Sequence, residues 1–219
     1  MSAIQAAQVL DFSQYIAERT RNFTGRDWVF QAINNWLSKQ DASRYFLLTG
    51  DPGSGKSAIA ARLSQFSMGD IPPPDGFSVL ALNSLSAFHF CSSRSGRWID
   101  PSVLAESLAM QLASTYPDFA KALAEKSGDR QIRIEIDQLA IDVSGTMVGV
   151  TIESLDVSRV SAEDGFNRVV REPLQVLCKA RPGERITLLV DALAMVNLVS
   201  TSLSVLAEVI TVLGRVIPK

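Results

Sequence analysis

Short apolar runs alternate along the chain with longer segments in which apolar residues recur every three or four positions. The runs lie at residues 45–49, 85–91 and 186–190. Each is short enough to form a strand that is buried on both faces of a sheet. The intervening segments have the spacing of helices with one buried face, as in residues 29–37. The pattern predicts an α/β domain: a parallel sheet with helices on both faces.

A period of two replaces the helical spacing between residues 131 and 157. Ile132, Ile134 and Ile136 alternate with charged residues, and a second alternating set follows a predicted turn near residues 144–145. This spacing is typical of strands with one wet face. It predicts a small β-hairpin inserted at one edge of the domain.

Two polar pairs mark predicted helix starts. Thr24 is followed three residues later by Asp27, as in a capping box, and Asp100 directly precedes Pro101. An acidic N-cap followed by proline is favourable because proline lacks only an N–H group that would have no partner within the helix.

Residues 50–57 have the sequence Gly-Asp-Pro-Gly-Ser-Gly-Lys-Ser and match G-x-x-x-x-G-K-[S/T] at every fixed position. Glycines let the backbone curve around an anion with its N–H groups pointing inward, and the following helix adds a positive dipole. Lys56 is expected to reach the β- and γ-phosphates, and the Ser57 hydroxyl to ligate magnesium. The motif predicts binding of a nucleoside triphosphate with Mg²⁺.

The second half of such a site is an acidic residue at the end of a neighbouring strand. The run 186–190 ends directly at Asp191, whose carboxylate is expected to hold Mg²⁺ through water. Lys56 and Asp191 are the predicted catalytic residues, and Ser57 and Asp191 the predicted metal ligands. The predicted phosphate contacts are Gly50, Pro52, Gly53, Ser54, Gly55, Lys56, Ser57 and Ala58.

These elements predict a P-loop NTPase fold with three layers, α/β/α, a mainly parallel sheet and a small β-hairpin insertion. The predicted division is a helical lead-in at 1–22, a nucleotide-binding domain at 23–193 with the hairpin at about 131–157, and a tail at 194–219. The tail is predicted to be helical and either truncated or altered. Its apolar stretch is interrupted by polar residues, which favours a buried helix over a membrane span.

Charge and composition narrow the partners. The chain has 21 Lys and Arg against 23 Asp and Glu, with a net charge of −2, and no basic run, which counts against nucleic acid as the main ligand. Its two cysteines have no partners at metal-ligand spacing, so neither a disulfide framework nor a zinc site is expected. No signal peptide pattern opens the chain. We therefore expect a soluble, cytoplasmic protein without a membrane span.

Five other conspicuous side chains are predicted to belong to the core. His89, the only histidine, lies in an apolar run and is expected to be a satisfied strand residue rather than a catalytic base. Cys91 and Cys178 are expected to be small core residues rather than nucleophiles. Trp28 and Trp36 lie on one predicted helix and are expected to pack in the core rather than stack on a ligand.

Several segments, in this order, resemble the NACHT-type branch of the STAND nucleotide-binding proteins. They are FTGRD at 23–27, GDPGSGKSAIAARL, AFHFCSSRSGRWIDPSVLAESLAMQLA, FNRVVREPL at 166–174 and LLVDAL. The resemblance covers roughly residues 11 to 193. The chain is similar in particular to bacterial or fungal members that carry WD-type repeats or other sensor modules.

The resemblance implies a regulatory switch that ADP holds closed and ATP opens for oligomerisation. Implied partners are other copies of the chain and sensor or effector domains outside it. Implied settings are innate immunity, programmed cell death and signal transduction. The resemblance also implies that Phe23, Thr24 and Arg26 lie near the nucleotide base.

Two departures from the family pattern concern hydrolysis and the tail. Relatives follow the first acid with further acids, whereas Ala194 and Met195 stand here. Because a general base contributes about 10²–10⁴ in rate, we expect weak hydrolysis with binding retained. The sensor strand, arginine and winged-helix parts of relatives do not appear before Lys219, and the tail is expected to cover the sheet beside Asp191.

Two further classes of function stay open. One is a phosphotransferase, such as a small-molecule kinase, or an ordinary ATPase acting through the same loop; a kinase lid with several arginines is not found in the sequence. The other is a scaffold that has kept the fold and lost nucleotide binding. ATP is the favoured nucleotide, and GTP is the alternative.

Overall fold

A computed structural model of the chain describes residues 10–39, 43–92, 95–141, 147–191 and 211–216. Its helices are α1 Ser13–Thr20, α2 Asp27–Ser38, α3 Lys56–Met68, α4 Pro101–Thr115, α5 Pro117–Ala124, α6 Ala162–Phe166 and α7 Glu172–Ala180. Its strands are β1 Tyr45–Leu47, β2 Ala87–Phe90, β3 Arg133–Ile141, β4 Met147–Asp156, β5 Ile186–Asp191 and β6 Thr211–Val216. In the described part of the chain, no helix combines the length and the apolar character needed to span a bilayer.

The main sheet has four strands in the order β1-β6-β5-β2. Strands β2 and β5 pair in parallel, whereas β6 is antiparallel to both β1 and β5. Since β1 and β5 both oppose β6, they run in the same direction as β2. The prediction of mixed helices and strands is confirmed, but a mainly parallel sheet is wrong for two of the three pairings.

The tail of the chain accounts for that difference. Residues 211–216 were expected within a helix, and they form the strand β6 instead. The sequence Thr-Val-Leu-Gly-Arg-Val is rich in β-branched residues, which favour strands. Between β1 and β5, the strand pairs with backbone groups that would otherwise leave two open edges. The remainder of the tail lies outside the described residues.

Strands of the main sheet contribute side chains to two separate hydrophobic clusters. We call the first the loop-side cluster; α1, α2 and α3 supply most of it, together with Phe88 and Phe90. The opposite cluster is supplied by α4, α5, α7 and the β3–β4 hairpin, together with Ala87 and Cys91. Because neighbouring strand residues point to opposite faces, β2 separates the two clusters.

The outer edge of the sheet is closed by a side chain. Gln111 of α4 accepts a hydrogen bond from the backbone N–H of Phe88 at 3.0 Å and donates to the Phe88 carbonyl at 2.8 Å. The amide therefore occupies the place of a neighbouring strand on β2. This contact satisfies backbone groups that an edge strand leaves unpaired.

The predicted hairpin is confirmed as an antiparallel pair of β3 and β4. It forms its own two-stranded sheet, and Ile152 and Leu155 pack into the opposite cluster. The chain leaving β4 is held where the N–H of Val157 donates to the buried Glu106 carboxylate at 2.9 Å. The predicted turn at residues 144–145 lies outside the described residues.

Of the two helix starts that the sequence predicts, one is confirmed and the other is wrong. Asp100 caps α4 as predicted, accepting from the Ser102 N–H at 2.8 Å. The predicted capping box is wrong, because α2 begins at Asp27 after an uncapped, left-handed Arg26. Two consecutive left-handed residues, Gly25 and Arg26, turn the chain there instead.

Only one of the two tryptophans of α2 packs in the core. Trp36 is buried, and its indole N–H donates to the Ser43 carbonyl at 2.7 Å. Trp28 is 71% exposed, so its predicted burial is wrong. At 3.6 residues per turn it lies about 140° around the helix from the buried Ile33.

Candidate functional site

Residues 50–55 form an exposed bend between β1 and α3. Gly50, Gly53 and Gly55 have φ of +155°, +83° and +93°, values that L side chains rarely adopt. A Cβ on Gly50 would also lie 3.1 Å from the Ser54 Oγ. The fixed glycines of the motif are thus required by the backbone itself.

The Lys56 side chain folds back over this bend. Its ammonium donates to the Gly50 carbonyl at 2.6 Å, the Asp51 carbonyl at 2.8 Å and the Ser54 Oγ at 3.2 Å. An ammonium has three donors, and a carboxylate or phosphate oxygen accepts more strongly than a hydroxyl. The contact to Ser54 is the longest of the three, and an anion in the bend would replace it at the least cost.

Helix α3 begins at Lys56 directly after the bend. Its N-cap, Gly55, is left-handed and makes no side-chain capping bond. The first N–H groups of a helix have no partner within the helix, and they carry the positive end of its dipole. Backbone donors, dipole and Lys56 therefore converge on one exposed position.

Helix α1 packs along α3, and Tyr15 of α1 lies near the loop. The Tyr15 phenol lies near the Ser57 side chain. Five residues further along each helix, the Arg62 guanidinium donates to the Thr20 carbonyl at 3.4 Å. Equal steps along both helices mean that α1 and α3 run in the same direction, side by side.

Tyr15 also links the loop to the predicted acid. Burial raises the pKa of the Tyr15 phenol, and the nearby Asp191 carboxylate raises it further, so the hydroxyl stays protonated. Tyr15 thus lies near both Ser57 and Asp191, which are 134 residues apart in sequence.

Asp191 is the last residue of β5, and it lies at the same end of the strands as the loop. In the register of the sheet, Leu47 and Val190 both face Val212, so the ends of β1 and β5 lie about 10 Å apart across one strand. Asp191 is fully buried, and its carbonyl accepts from the Cys91 N–H at 3.0 Å.

The cysteines and the histidine belong to the core. Burial first, and the Asp191 charge second, raise the pKa of the Cys91 thiol to about 12, so it is no thiolate nucleophile. Cys178 is also buried and free. The His89 Nε2 donates to the Trp98 carbonyl at 2.9 Å, while burial lowers its pKa to about 4. Its Nδ1 has no hydrogen-bond partner, so the predicted full satisfaction of this histidine holds for one nitrogen.

The segment expected near the base lies beside α3 rather than at the bend. The Phe23 ring stacks under the Arg62 guanidinium at 5.0 Å and contacts the Phe30 ring at 5.8 Å. Thr24 and Arg26 are exposed. Their expected contact with a base stays a prediction.

Ala194 and Met195 lie outside the described residues. Tyr15 had no predicted role, because no motif contains it. The available signal was the spacing of Phe12, Tyr15 and Ile16, which predicts a buried helix face but not its partner.

These residues fit a magnesium-bound phosphate chain on two observations. The bend is exposed, and its positive-φ positions are glycines, so no Cβ atom occupies the concave side of the backbone. Its donor set combines backbone N–H groups, an ammonium, a hydroxyl and a carboxylate, which are hard ligands suited to phosphate and Mg²⁺.

Comparison with protein families gave one match that contains the loop. The family model described as nephrocystin 3, N-terminal, matches residues 25–144, which is more than half of the 219 residues. The match includes the bend and Lys56 and stops before Asp191. Neither the curated proteins nor the solved structures gave a match. The chain belongs to the nephrocystin 3 N-terminal family.

Proposed function

We propose that this chain binds a nucleoside triphosphate, ATP in the first place, together with Mg²⁺ at residues 50–57. In this proposal it has a P-loop NTPase fold and serves as the regulatory switch domain of a STAND or NACHT-type signalling protein. Nucleotide exchange then drives a conformational change and oligomerisation, with weak hydrolysis.

The observation that carries the proposal is the conformation of the bend. Three positive-φ glycines, an ammonium folded over two loop carbonyls, and an uncapped helix start all belong to eight consecutive residues. Each feature costs conformational freedom or leaves donors without partners, and a bound polyanion compensates for both.

Each side chain of the site has a distinct role in this proposal. Lys56 would neutralise the β- and γ-phosphates, and Ser57 would give a hydroxyl oxygen to Mg²⁺. Asp191 would hold the metal through water. Bound Mg²⁺ neutralises charge that develops on the phosphates.

The regulatory part rests on the family-like order of segments and on the contact of α1 with α3. Phe23 and Arg62 connect the segment before α2 to the loop helix. A change at the loop would therefore reach the N-terminal part of the chain through packed side chains. Hydrolysis is expected to be slow, because Ala194 and Met195 cannot act as general bases.

Titration calorimetry with ATP, ADP and GTP in Mg²⁺ tests the proposal. Removing the ammonium in Lys56→Ala should weaken ATP binding about 10- to 100-fold, because charge-assisted hydrogen bonds contribute about 1.5–3 kcal/mol. Lys179→Ala removes an exposed lysine at the end of α7 and serves as the matched control. A wild-type chain that binds none of the three nucleotides contradicts the proposal, as does equal binding by Lys56→Ala.

A second readout addresses the switch. Light scattering of the purified chain in Mg·ATP and in Mg·ADP should give a larger mass in ATP. The same mass in both nucleotides would contradict the proposed switch, although the chain could still bind nucleotide.

A further inference from the structure

The side chain of Ser54 lies between Gly50 and the Lys56 ammonium. Its Oγ accepts a hydrogen bond from the Lys56 Nζ at 3.2 Å, and it would lie 3.1 Å from a Cβ on Gly50. The Ser54 backbone N–H donates to the Asp51 carbonyl at 3.1 Å, which holds the residue in the turn. The hydroxyl therefore touches both ends of the bend.

The Lys56 ammonium spends its hydrogen bonds on the loop itself. Besides Ser54, it donates to the Gly50 carbonyl at 2.6 Å and to the Asp51 carbonyl at 2.8 Å. An ammonium has three protons, and each of these three acceptors takes one. A phosphate oxygen can therefore receive a hydrogen bond from Lys56 only after one acceptor has lost its own.

The Ser54 hydroxyl is the acceptor that gives way. Its bond is the longest of the three, and a neutral hydroxyl attracts an ammonium less strongly than an anionic oxygen does. The two carbonyl bonds are shorter, and they keep the ammonium in place while its third partner changes. Ser54 is exposed, so its released hydroxyl turns to water at little cost.

We propose that Ser54 is an affinity-determining residue of the phosphate site. In the empty loop its hydroxyl takes the place of a phosphate oxygen on Lys56, and a polyphosphate must displace it to bind. This inference rests on the proposed function. It makes Ser54 a competitor of the ligand that is built into the loop, and it lowers the affinity of the loop for nucleotide.

A serine that only stiffened the loop would act in the opposite direction, because its loss would loosen the bend and weaken binding. The other bonds of the bend do not depend on the Ser54 hydroxyl. The turn is closed by the Ser54 backbone N–H, and Lys56 is anchored on two backbone carbonyls. The bend therefore keeps its form without the hydroxyl, and displacement decides the sign of the effect.

The first test is the affinity of Ser54→Ala for ATP in Mg²⁺, measured by titration calorimetry. The variant keeps the backbone and the Cβ and removes only the hydroxyl. We expect ATP to bind about 3- to 10-fold more tightly, which is the range of one modest hydrogen bond. Ser158→Ala is the matched control and should leave the affinity unchanged, because Ser158 is also exposed and its hydroxyl also bonds a charged side chain, Asp156 at 2.6 Å.

NMR signals of the Lys56 side chain give a second readout that does not depend on affinity. Without ligand, the Nζ and Cε shifts of Lys56 should differ between wild type and Ser54→Ala, because the hydroxyl contact exists in only one of them. At saturating Mg·ATP the two proteins should give the same shifts, since the ligand has replaced the hydroxyl.

Equal or weaker ATP binding by Ser54→Ala overturns the role of Ser54 and leaves the proposed function intact. The same holds for Lys56 shifts that coincide in the two proteins without ligand, or that still differ at saturation. A wild-type chain that binds no nucleotide overturns both the role of Ser54 and the proposed function.

Discussion

Buried polar groups of the same kinds lie on both sides of the main sheet, but the groups next to them differ. On the opposite side, Gln111 closes the edge of β2 and Tyr116 bonds Ser86, whose backbone N–H donates to the Thr187 carbonyl at 2.7 Å. All of these partners belong to the interior. On the loop side, the buried Tyr15 phenol lies near Ser57, the last residue of an exposed phosphate-type loop.

This difference shows how a buried polar group can be assigned. A buried tyrosine with a raised pKa lies near a serine on both sides, so neither burial nor pKa separates them. The serine separates them: one lies inside the protein, and the other belongs to a loop that a ligand can reach. Four substitutions, one of them compared with wild type over a range of pH, probe that distinction.

The largest expected effect lies on the opposite side and concerns stability alone. Phe119 is fully buried in the opposite cluster. Phe119→Ala should lower the free energy of unfolding by about 3–5 kcal/mol, because it removes apolar contacts and leaves a cavity. Urea unfolding measures the loss. ATP affinity of the folded variant should stay within about twofold of wild type by calorimetry; a tenfold fall would show that the two sides are not separable.

An effect of about 3 kcal/mol is expected from His89, on the strand that divides the two sides. Its pKa is about 4 in the folded protein against 6.5 for an unperturbed imidazole, so the folded chain binds fewer protons than the unfolded chain between these values. Stability from this group is full above pH 6.5 and is lost as the pH falls towards 4, at about 1.4 kcal/mol per pKa unit.

Unfolding by urea at a series of pH values, compared with His89→Gln, measures that contribution. Glutamine keeps a donor for the Trp98 carbonyl and does not titrate. The difference in stability between the two proteins should therefore narrow or reverse in favour of the variant as the pH falls. Parallel curves would mean that His89 is not held in its neutral form.

The smallest expected effect on stability sharpens the comparison most. Gly55 and Gly183 have φ of +93° and +92°, and neither has an atom within 4 Å of a built Cβ. Gly55→Ala and Gly183→Ala should each lose about 1–2 kcal/mol from backbone strain. Only Gly55→Ala should also weaken ATP binding, by about tenfold, because only that residue belongs to the bend. Equal ATP affinity of the two variants, measured by calorimetry, would contradict ATP binding at the loop.

Sequence alone predicted what depends on neighbouring residues. The glycines of the bend, the start of α3 after Gly55 and the Asp100 cap follow from local backbone chemistry, and the structure contains all three. The hairpin followed from its period of two.

What sequence did not predict depends on long-range packing. The tail was expected to cover the sheet beside Asp191, but no pattern within 194–219 shows that residues 211–216 do so as a strand between β5 and β1. Tyr15 lies near Ser57 only because α1 lies along α3. Trp28 faces outward because the buried face of α2 centres on Ile33, which an eight-residue spacing to Trp36 does not indicate.

The backbone amides of residues 50–58 provide the most direct test of the phosphate site. Amide chemical shifts recorded by NMR while Mg·ATP is added should change most at Gly53, Gly55, Lys56 and Ser57, where N–H groups would turn to phosphate oxygens. Amides of Gly183 and its neighbours should not change. Shifts confined to other parts of the chain, or none at saturating Mg·ATP, would contradict a nucleotide site in this bend.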